Sequence, residues 1–443
     1  MWSRYRSIIL VCCLSSMAAM AQEASPLLTE SVAVQLALQH QPTIRAAQAE
    51  VGMAQARVDM ARANATIQVS GNGLAMVSSM RNSLTVPGVM PQAILQAQNR
   101  TSLDLNGIAM YPLYTGGRIS YSVRAAQLRA GASEFGVTTT RTQVAAEARL
   151  RFSDWRQSLA MLAITQDTVT AQTQTTQVTQ QLFDVGKVPR FDVLRAQAAL
   201  QSAIQQATNA QADVLVAHAR FAQALGVPEA MIATLPADEP LPVMPTSILE
   251  TALARRADLR AAHQNIAAAK VEVSIRKASY CPQLYAMGMV DAVAPADMGK
   301  SAGLTVGIVG GIPLIDGGRR RAEVQEATQG VVQAQALSDT LELQVRADVA
   351  SAMARVKAAR QNIETATAQI RAADESYTVA QARYAGGKGT IGELLDAQRT
   401  VTEARQDLVA AEAQYRSTLA TLYLAMGVDI VEQTTITPGT PAP

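Results

Sequence analysis

Residue types that carry chemistry are sparse in this chain, and their spacing argues against a catalytic centre. His40, His218 and His263 fall in separate helical segments, none at metal-ligand spacing from a cysteine or carboxylate. No Ser–His–Asp arrangement, phosphate loop or dinucleotide motif is present. Cys12 and Cys13 lie inside an N-terminal apolar run, so the mature chain keeps Cys281 alone and no internal disulfide is possible. Met287 and Met289 occupy a strand, where they read either as packing or as a soft-metal path. The expectation is a protein that is not an enzyme and uses no cofactor and no metal. The charges that do form a pattern stand in a stretch that occurs twice. FDVGKVPRFDVLRAQA at 183–198 returns as YAGGKGTIGELLDAQR at 384–399, an offset of 201. Gly186 and Lys187 recur as Gly387 and Lys388, and Asp192 recurs as Glu393. In the second copy Glu393 and Asp396 sit at i and i+3, which puts two carboxylates on one helix face. Such a pair serves either the first helical turn, where acids suit the dipole, or a cation-binding cluster shared with other charges.

The elements that position these residues form a long internal repeat. The offset of 201 holds without a gap from Pro112/Pro313 to Val227/Val428, through Gly116-Gly117-Arg118 and Gly317-Gly318-Arg319. A second match, at an offset of 215, pairs a helix at Thr43–Asn64 with one at Asp258–Ser279. Ile44, Ala47, Val51, Ala54 and Val58 are echoed there by Leu259, Ala262, Ile266, Ala269 and Val273. A repeat this long is a structural unit used twice. It divides the chain into a first repeat at 22–227, a Pro-rich connector at 228–245, a second repeat at 246–428 and a flexible tail at 429–443. A short helix is expected at Ser25–Leu38. Arg118–Phe183 contains no proline and predicts a rod roughly 100 Å long at 1.5 Å per residue. Its partner carries a strict heptad from Val345 through Val349, Ala352, Val356, Ala359 and Ile363 to Ala380, the mark of left-handed coiled packing. The first copy is looser, with Arg151 and Gln172 at equivalent positions. In the returning helices Leu394, Val401, Leu408, Tyr415 and Leu422 are seven apart, as are Val193, Leu200, Ala207, Val214 and Phe221.

Where the helical period switches to two, strands are expected at about 66–78, 101–111, 283–293 and 303–312, with loops at Ser79–Arg100 and Ala294–Ala302. One apolar and one small or polar face per strand is the weak signature of an outer-membrane barrel, or of two hairpins on a soluble protein. Four strands cannot close a barrel, and open edges are not tolerated in lipid. A barrel must therefore be shared: two chains give eight strands and three give twelve. The composition, 4% aromatic and 17% charged, suits thin walls of close-packed helices better than a thick core. The formal charge is +2 with no basic run, which speaks against nucleic acid as a partner. Arg4 and Arg6, the apolar Ile8–Leu14 and Ala19-Met20-Ala21 predict a signal peptide at 1–21, with no acyl anchor. No apolar run of transmembrane-helix length follows it.

The signal peptide, the two strand–strand–long helix–turn–helix halves, the Pro-rich middle and the GK turn followed by an acid together resemble the TolC family of outer-membrane efflux proteins. The resemblance spans roughly Leu27 to Val428. It implies a mainly α fold with a small β part. As a homotrimer this forms a twelve-stranded β-barrel among outer-membrane lipids and an α-helical barrel across the periplasm. It further implies an exit duct of a tripartite efflux or type I secretion system, working with a periplasmic adaptor and an inner-membrane transporter. The turns Val185–Val188 and Gly386–Gly389 would be the periplasmic tips, with Gly186, Lys187, Gly387 and Lys388 meeting the adaptor. Glu393 and Asp396 would ring the entrance, six carboxylates in a trimer, while Asp192 and Tyr384 would latch it. An arginine of the best-known latch is replaced here by Gly389. The alternative of another class is a structural coiled-coil envelope protein, a spacer or adhesin stalk with no pore.

Overall fold

The computed structural model describes residues 28–79, 99–232, 236, 240–242, 244, 248–295 and 301–428. The signal peptide expected at 1–21 and the tail at 429–443 lie outside the described residues, as do most of both strand loops and much of the connector. The first helix, α1, is Glu30–His40 rather than Ser25–Leu38. Thr29 caps it, its hydroxyl accepting from the Val32 N–H at 3.3 Å. Gln41 ends it, and Pro42 opens α2 (Pro42–Ala63), a position where a missing N–H costs nothing. Then follow β1 (Gln68–Ser79), β2 (Asn99–Tyr114), α3 (Arg118–Asp184) and α4 (Arg190–Leu225). The second half gives α5 (Ile248–Arg255), α6 (Ala257–Ala278), β3 (Gln283–Pro295), β4 (Ser301–Gly311), α7 (Arg319–Ala385) and α8 (Ile391–Met426). Both ends of α3 and α7 differ by 201 residues, as do both ends of α4 and α8, and α2 and α6 by 215.

Contacts divide the chain into two compact units, to each of which α3 and α7 contribute. The unit of Met1–Ile44, Thr140–Arg255 and Val345–Pro443 is helical. One of its clusters packs Ala33, Val34 and Ala37 of α1 on Phe152 and Trp155 of α3 and Phe221 and Leu225 of α4. Trp155 stacks on Phe221 at 5.3 Å between ring centroids. Each of these large side chains contributes about 1.5–3 kcal/mol by leaving water. Arg149, only 6% exposed, is held there by Glu30 at 3.3 Å and lies 6.0 Å from the centre of the Tyr423 ring. Gly226 ends α4 with a φ of 72°, and a Cβ there would come within 2.9 Å of the Gln41 backbone. The amide of Gln41 donates to the Ala224 carbonyl at 2.9 Å, closing that helix end. The heptad of α7 is buried at Val345, Val349, Ala352, Val356, Ala359, Ala366 and Ala373. On α8 the seven-residue ladder is buried at Leu394, Val401, Tyr415 and Leu422.

The seam between α3 and α8 is of another kind. The Thr168 and Thr402 hydroxyls meet at 3.2 Å across it. Gln172 and Gln398 are both buried, and the Gln172 Oε1 and both polar atoms of the Gln398 amide find no partner among the described residues.

The unit of Arg45–Thr139 and Arg256–Gln344 carries a four-stranded antiparallel sheet in the order β1-β2-β3-β4. Each half supplies one hairpin, and β2 pairs with β3 to join them. Three of the strands match the expected spans to within two residues, but β2 runs on to Tyr114. It does so through Pro112, where the register against β3 shifts, because proline has no N–H to give the ladder. The register places Val69, Ala109, Ala286 and Ile308 on one face, followed by Leu105, Tyr111, Val290, Leu304 and Val306. That face is mainly apolar, with Thr101 and the Ser79–Asn99 pair at one end, and its apolar side chains are largely exposed, Leu304 at 73% and Val306 at 78%. Gln68, Ser70, Asn72, Asn106, Asp291 and Thr305 occupy the other. β1 pairs only with β2, and β4 only with β3, among the described residues.

Candidate functional site

The repeated turn joins α3 to α4 and α7 to α8, and both copies close in the same way. Gly186 adopts a φ of 77° and Gly387 one of 67°, a backbone state that glycine reaches without strain. The Lys187 N–H donates to the Leu182 carbonyl at 2.8 Å, and the Lys388 N–H to the Arg383 carbonyl at 2.8 Å. These bonds satisfy carbonyls that a helix end otherwise leaves orphaned. With the backbone fixed so, the side chains of Lys187 and Lys388 stand exposed.

The exits differ. In the first copy Pro189 precedes α4 and gives no side-chain cap, whereas Thr390 caps α8 by accepting from the Glu393 N–H at 3.2 Å. Around the first tip Val185 is 68% exposed and Phe191 66%, with Phe183 and Leu194 also exposed. Gly386 and Gly392 stand where Val185's and Phe191's repeat counterparts fall, so the second tip lacks that apolar surface.

Glu393 and Asp396 are both exposed on the first turns of α8. Glu393 faces Arg383 at 3.5 Å and Asp396 faces Arg399 at 3.6 Å, contacts so open to water that each is worth at most about 1 kcal/mol. Arg195 of α4 reaches the same turn: a Cβ on Gly392 would lie 3.0 Å from its Nη1. Tyr384 is buried with Ile391 and Leu394, against Leu182 and Tyr377. Its hydroxyl meets the Thr179 hydroxyl at 3.1 Å. The Thr179 proton goes to the Thr175 carbonyl at 2.8 Å, so Tyr384 is the donor between them. Burial pushes the Tyr384 phenol above its ordinary value, and the nearby Asp192 charge adds to it. Tyr384 and Asp192, the pair expected to latch an entrance, are close enough to interact electrostatically, while the hydrogen bond itself goes to Thr179. A Cβ on Gly389 would come within 3.2 Å of the Arg383 Cβ and the Tyr384 N, so that position is already filled by its neighbours.

Sequence reasoning missed Thr179, Arg195 and Arg383. Arg195 had one signal, its place at the repeat equivalent of Asp396, an opposite charge where a symmetric ring would need an acid. Two of the three histidines lie near backbone carbonyls. The His40 Nδ1 lies 3.0 Å from the Leu36 carbonyl, and His218 lies against Trp155 with its Nε2 3.3 Å from the Ile232 carbonyl. Among the described residues no three His, Cys, Asp or Glu side chains are grouped to hold a metal.

The chain as a whole is similar to known proteins. The family model described as outer membrane efflux protein matches residues 33–227 and 248–428. Protein CyaE of Bordetella pertussis is 30% identical over 426 residues, covering 89% of this chain and 83% of that protein. The outer membrane efflux protein BepC of Brucella suis biovar 1 is 25% identical over 329 residues, 73% of this chain and 71% of its own. The crystal structure of the outer membrane protein VceC from Vibrio cholerae aligns with a TM-score of 0.73 at 20% identity, over 90% of this chain and 96% of that one. A pore-free spacer or adhesin stalk does not account for a family match over both halves. The chain belongs to the outer membrane efflux protein family and acts as an exit duct of the outer membrane.

Proposed function

We propose that three copies of this chain close their sheets into one twelve-stranded barrel and conduct what a partner transporter delivers from the inner membrane. The observation that carries this is the sheet: one face is mainly apolar across all four strands, and among the described residues both edge strands have a neighbour on one side only. In lipid the unpaired N–H and C=O groups of those edges must find partners, and further copies of the same sheet supply them. The two repeats at 22–227 and 246–428 each give one hairpin to the barrel and one long helical pair to the periplasmic tunnel, after removal of 1–21. The tips dock the periplasmic adaptor through Gly186, Lys187, Gly387 and Lys388. The exposed Phe183, Val185, Phe191 and Leu194 support an apolar contact at the first tip. Glu393 and Asp396 form the constriction at the periplasmic entrance. Tyr384 and Asp192, together with Thr179, hold the tips in their resting arrangement. Cargo is selected by the transporter, and the duct itself is passive.

Reconstitution in planar bilayers tests the reading. The expected result is a small, cation-preferring conductance, weakened in the double variant Glu393→Ala, Asp396→Ala because six carboxylates leave the narrowest ring. Unchanged selectivity would remove these two residues from the constriction. A monomer by size in detergent would remove the shared barrel.

A further inference from the structure

The two hairpins of the sheet are built to one register. β1 pairs with β2 from Gln68↔Met110 to Ser78↔Arg100, and β3 with β4 from Gln283↔Gly311 to Val293↔Ser301. Each pair of the second hairpin follows from one of the first by adding 215 to the β1 residue and 201 to the β2 residue. Those are the offsets that separate α2 from α6 and α3 from α7. The hairpins are thus equivalent units, but their outer strands are not equally covered. β2 has β3 beside it and runs on to Tyr114, which pairs with Leu284. β4 has only β3 beside it among the described residues, and it ends at Gly311, four residues short of Ile315, the counterpart of Tyr114. Tyr114 is 48% exposed and Leu284 38%, whereas Ile315 is 94% exposed and Val69, the counterpart of Leu284, 74%. A polar tie shows the same contrast. The Arg118 Nη2 donates to the Gln283 Oε1 at 3.4 Å beside the joint of β2 with β3. The counterparts, Arg319 and Gln68, are both exposed, with side-chain contacts only to Glu323 and Asn64 of their own repeats.

We propose that β4 of one copy pairs with β1 of the next in the register that β2 keeps with β3, and that β4 lengthens to Ile315 in doing so. The same two offsets turn Gly107↔Val290 into Ile308↔Ala75 and Met110↔Met287 into Gly311↔Asn72 of the neighbouring copy. They turn Tyr114↔Leu284 into Ile315↔Val69, which covers the two most open of these side chains with each other. The inference rests on the shared barrel proposed above and adds which residues meet across its seams. The faces agree: Ile308 and Ala75 lie on the mainly apolar side, Gly311 and Asn72 on the other. A slip of one residue would turn a whole strand inside out. Pro313 repeats Pro112, whose missing N–H accompanies the register shift before Tyr114, so the lengthened β4 bends as β2 does. Arg319 then reaches Gln68 of the neighbouring copy as Arg118 reaches Gln283.

Paired cysteines in a Cys281→Ser background test it, by oxidation of outer membranes from cells making the full chain. Ile308→Cys with Ala75→Cys, Gly311→Cys with Asn72→Cys, and Ile315→Cys with Val69→Cys should each give covalently closed trimers. A Cβ at Gly311 meets nothing within 4 Å, so that position accepts the change. Val306→Cys with Ala75→Cys and Ile308→Cys with Val77→Cys report a slip of two residues either way. They should link at least about tenfold less, because the disulfide tolerates little extra separation. Linkage mainly through a slipped pair, or through none of the five in protein that is a trimer by size, would overturn the register and leave the shared barrel standing. Linkage at the first two pairs but not between Ile315→Cys and Val69→Cys would overturn the lengthening of β4. Wild type that is a monomer by size in detergent would remove the barrel and this seam with it. Gln68→Ala and Arg319→Ala should lower the temperature of trimer dissociation by similar amounts, and the double variant by no more than either. Additive losses would separate those two residues.

Discussion

The hydroxyl of Tyr384 is the one side-chain hydrogen bond described between the ends of α7 and α3, and its acceptor has already given its proton away. Tyr384→Phe therefore deletes one buried bond with little change of shape, and about 1 kcal/mol of stability should go with it. Thr179→Val should cost a similar amount, and the double variant little more than either alone, as a double-mutant cycle in denaturant would read. Asp316 gives a pH test at the same scale. Its folded carboxyl sits at about 2, below the 3.8 of a free one, mainly through the Arg320 side chain. Its contribution is thus complete above pH 3.8 and disappears as pH falls from there toward 2. Thermal midpoints of wild type should drop across that window more steeply than those of Asp316→Asn. Of these residues Tyr384 was singled out only through the family resemblance, as a partner of Asp192, and its hydrogen bond to Thr179 was not foreseen. Thr179 was not singled out at all: one threonine among many on a 67-residue helix has no local mark, and only the fold brings it to Tyr384.

The helices split into seams of two characters. Alanine and valine at heptad positions pack α7 on α8, whereas hydroxyls and amides line the contact of α3 with α8. Among the described residues both polar atoms of the Gln398 amide are buried without partners, a cost of about 1–3 kcal/mol. Gln398→Met keeps the volume and removes that cost, so thermal unfolding should shift upward; a downward shift would mean the amide has a partner after all. Periodicity made the helices and the apolar seams readable in advance, since burial on one face leaves a repeat in the sequence. It could not announce the polar seam. Gln172 reads as an irregularity in a heptad until Gln398 is found buried on the neighbouring helix. Boundaries failed where a single residue overrode the pattern: Thr29 delayed α1, and Pro112 let β2 continue past its expected end.

At the scale of the molecule the two faces of the sheet differ, one mainly apolar and the other carrying most of its polar side chains. Val306 and Thr305 are neighbours in sequence and project from opposite faces. Val306→Arg should cost about 2–4 kcal/mol if it meets the bilayer near its middle, and assembled protein in outer-membrane fractions should fall accordingly. Thr305→Arg should leave assembly near normal, and equal losses from both would contradict the division. The equal helix lengths have a consequence of their own. α3 and α7 have 67 residues each, and α4 and α8 have 36 each. Losing one residue from any of them would turn every later side chain by about 100° and swing its seam off its neighbour. A whole heptad could be lost only if the antiparallel partner and the other repeat lost one too. The walls can therefore lengthen or shorten only in coordinated steps of seven, and single insertions are confined to the loops, where the two repeats have already drifted apart by fourteen residues.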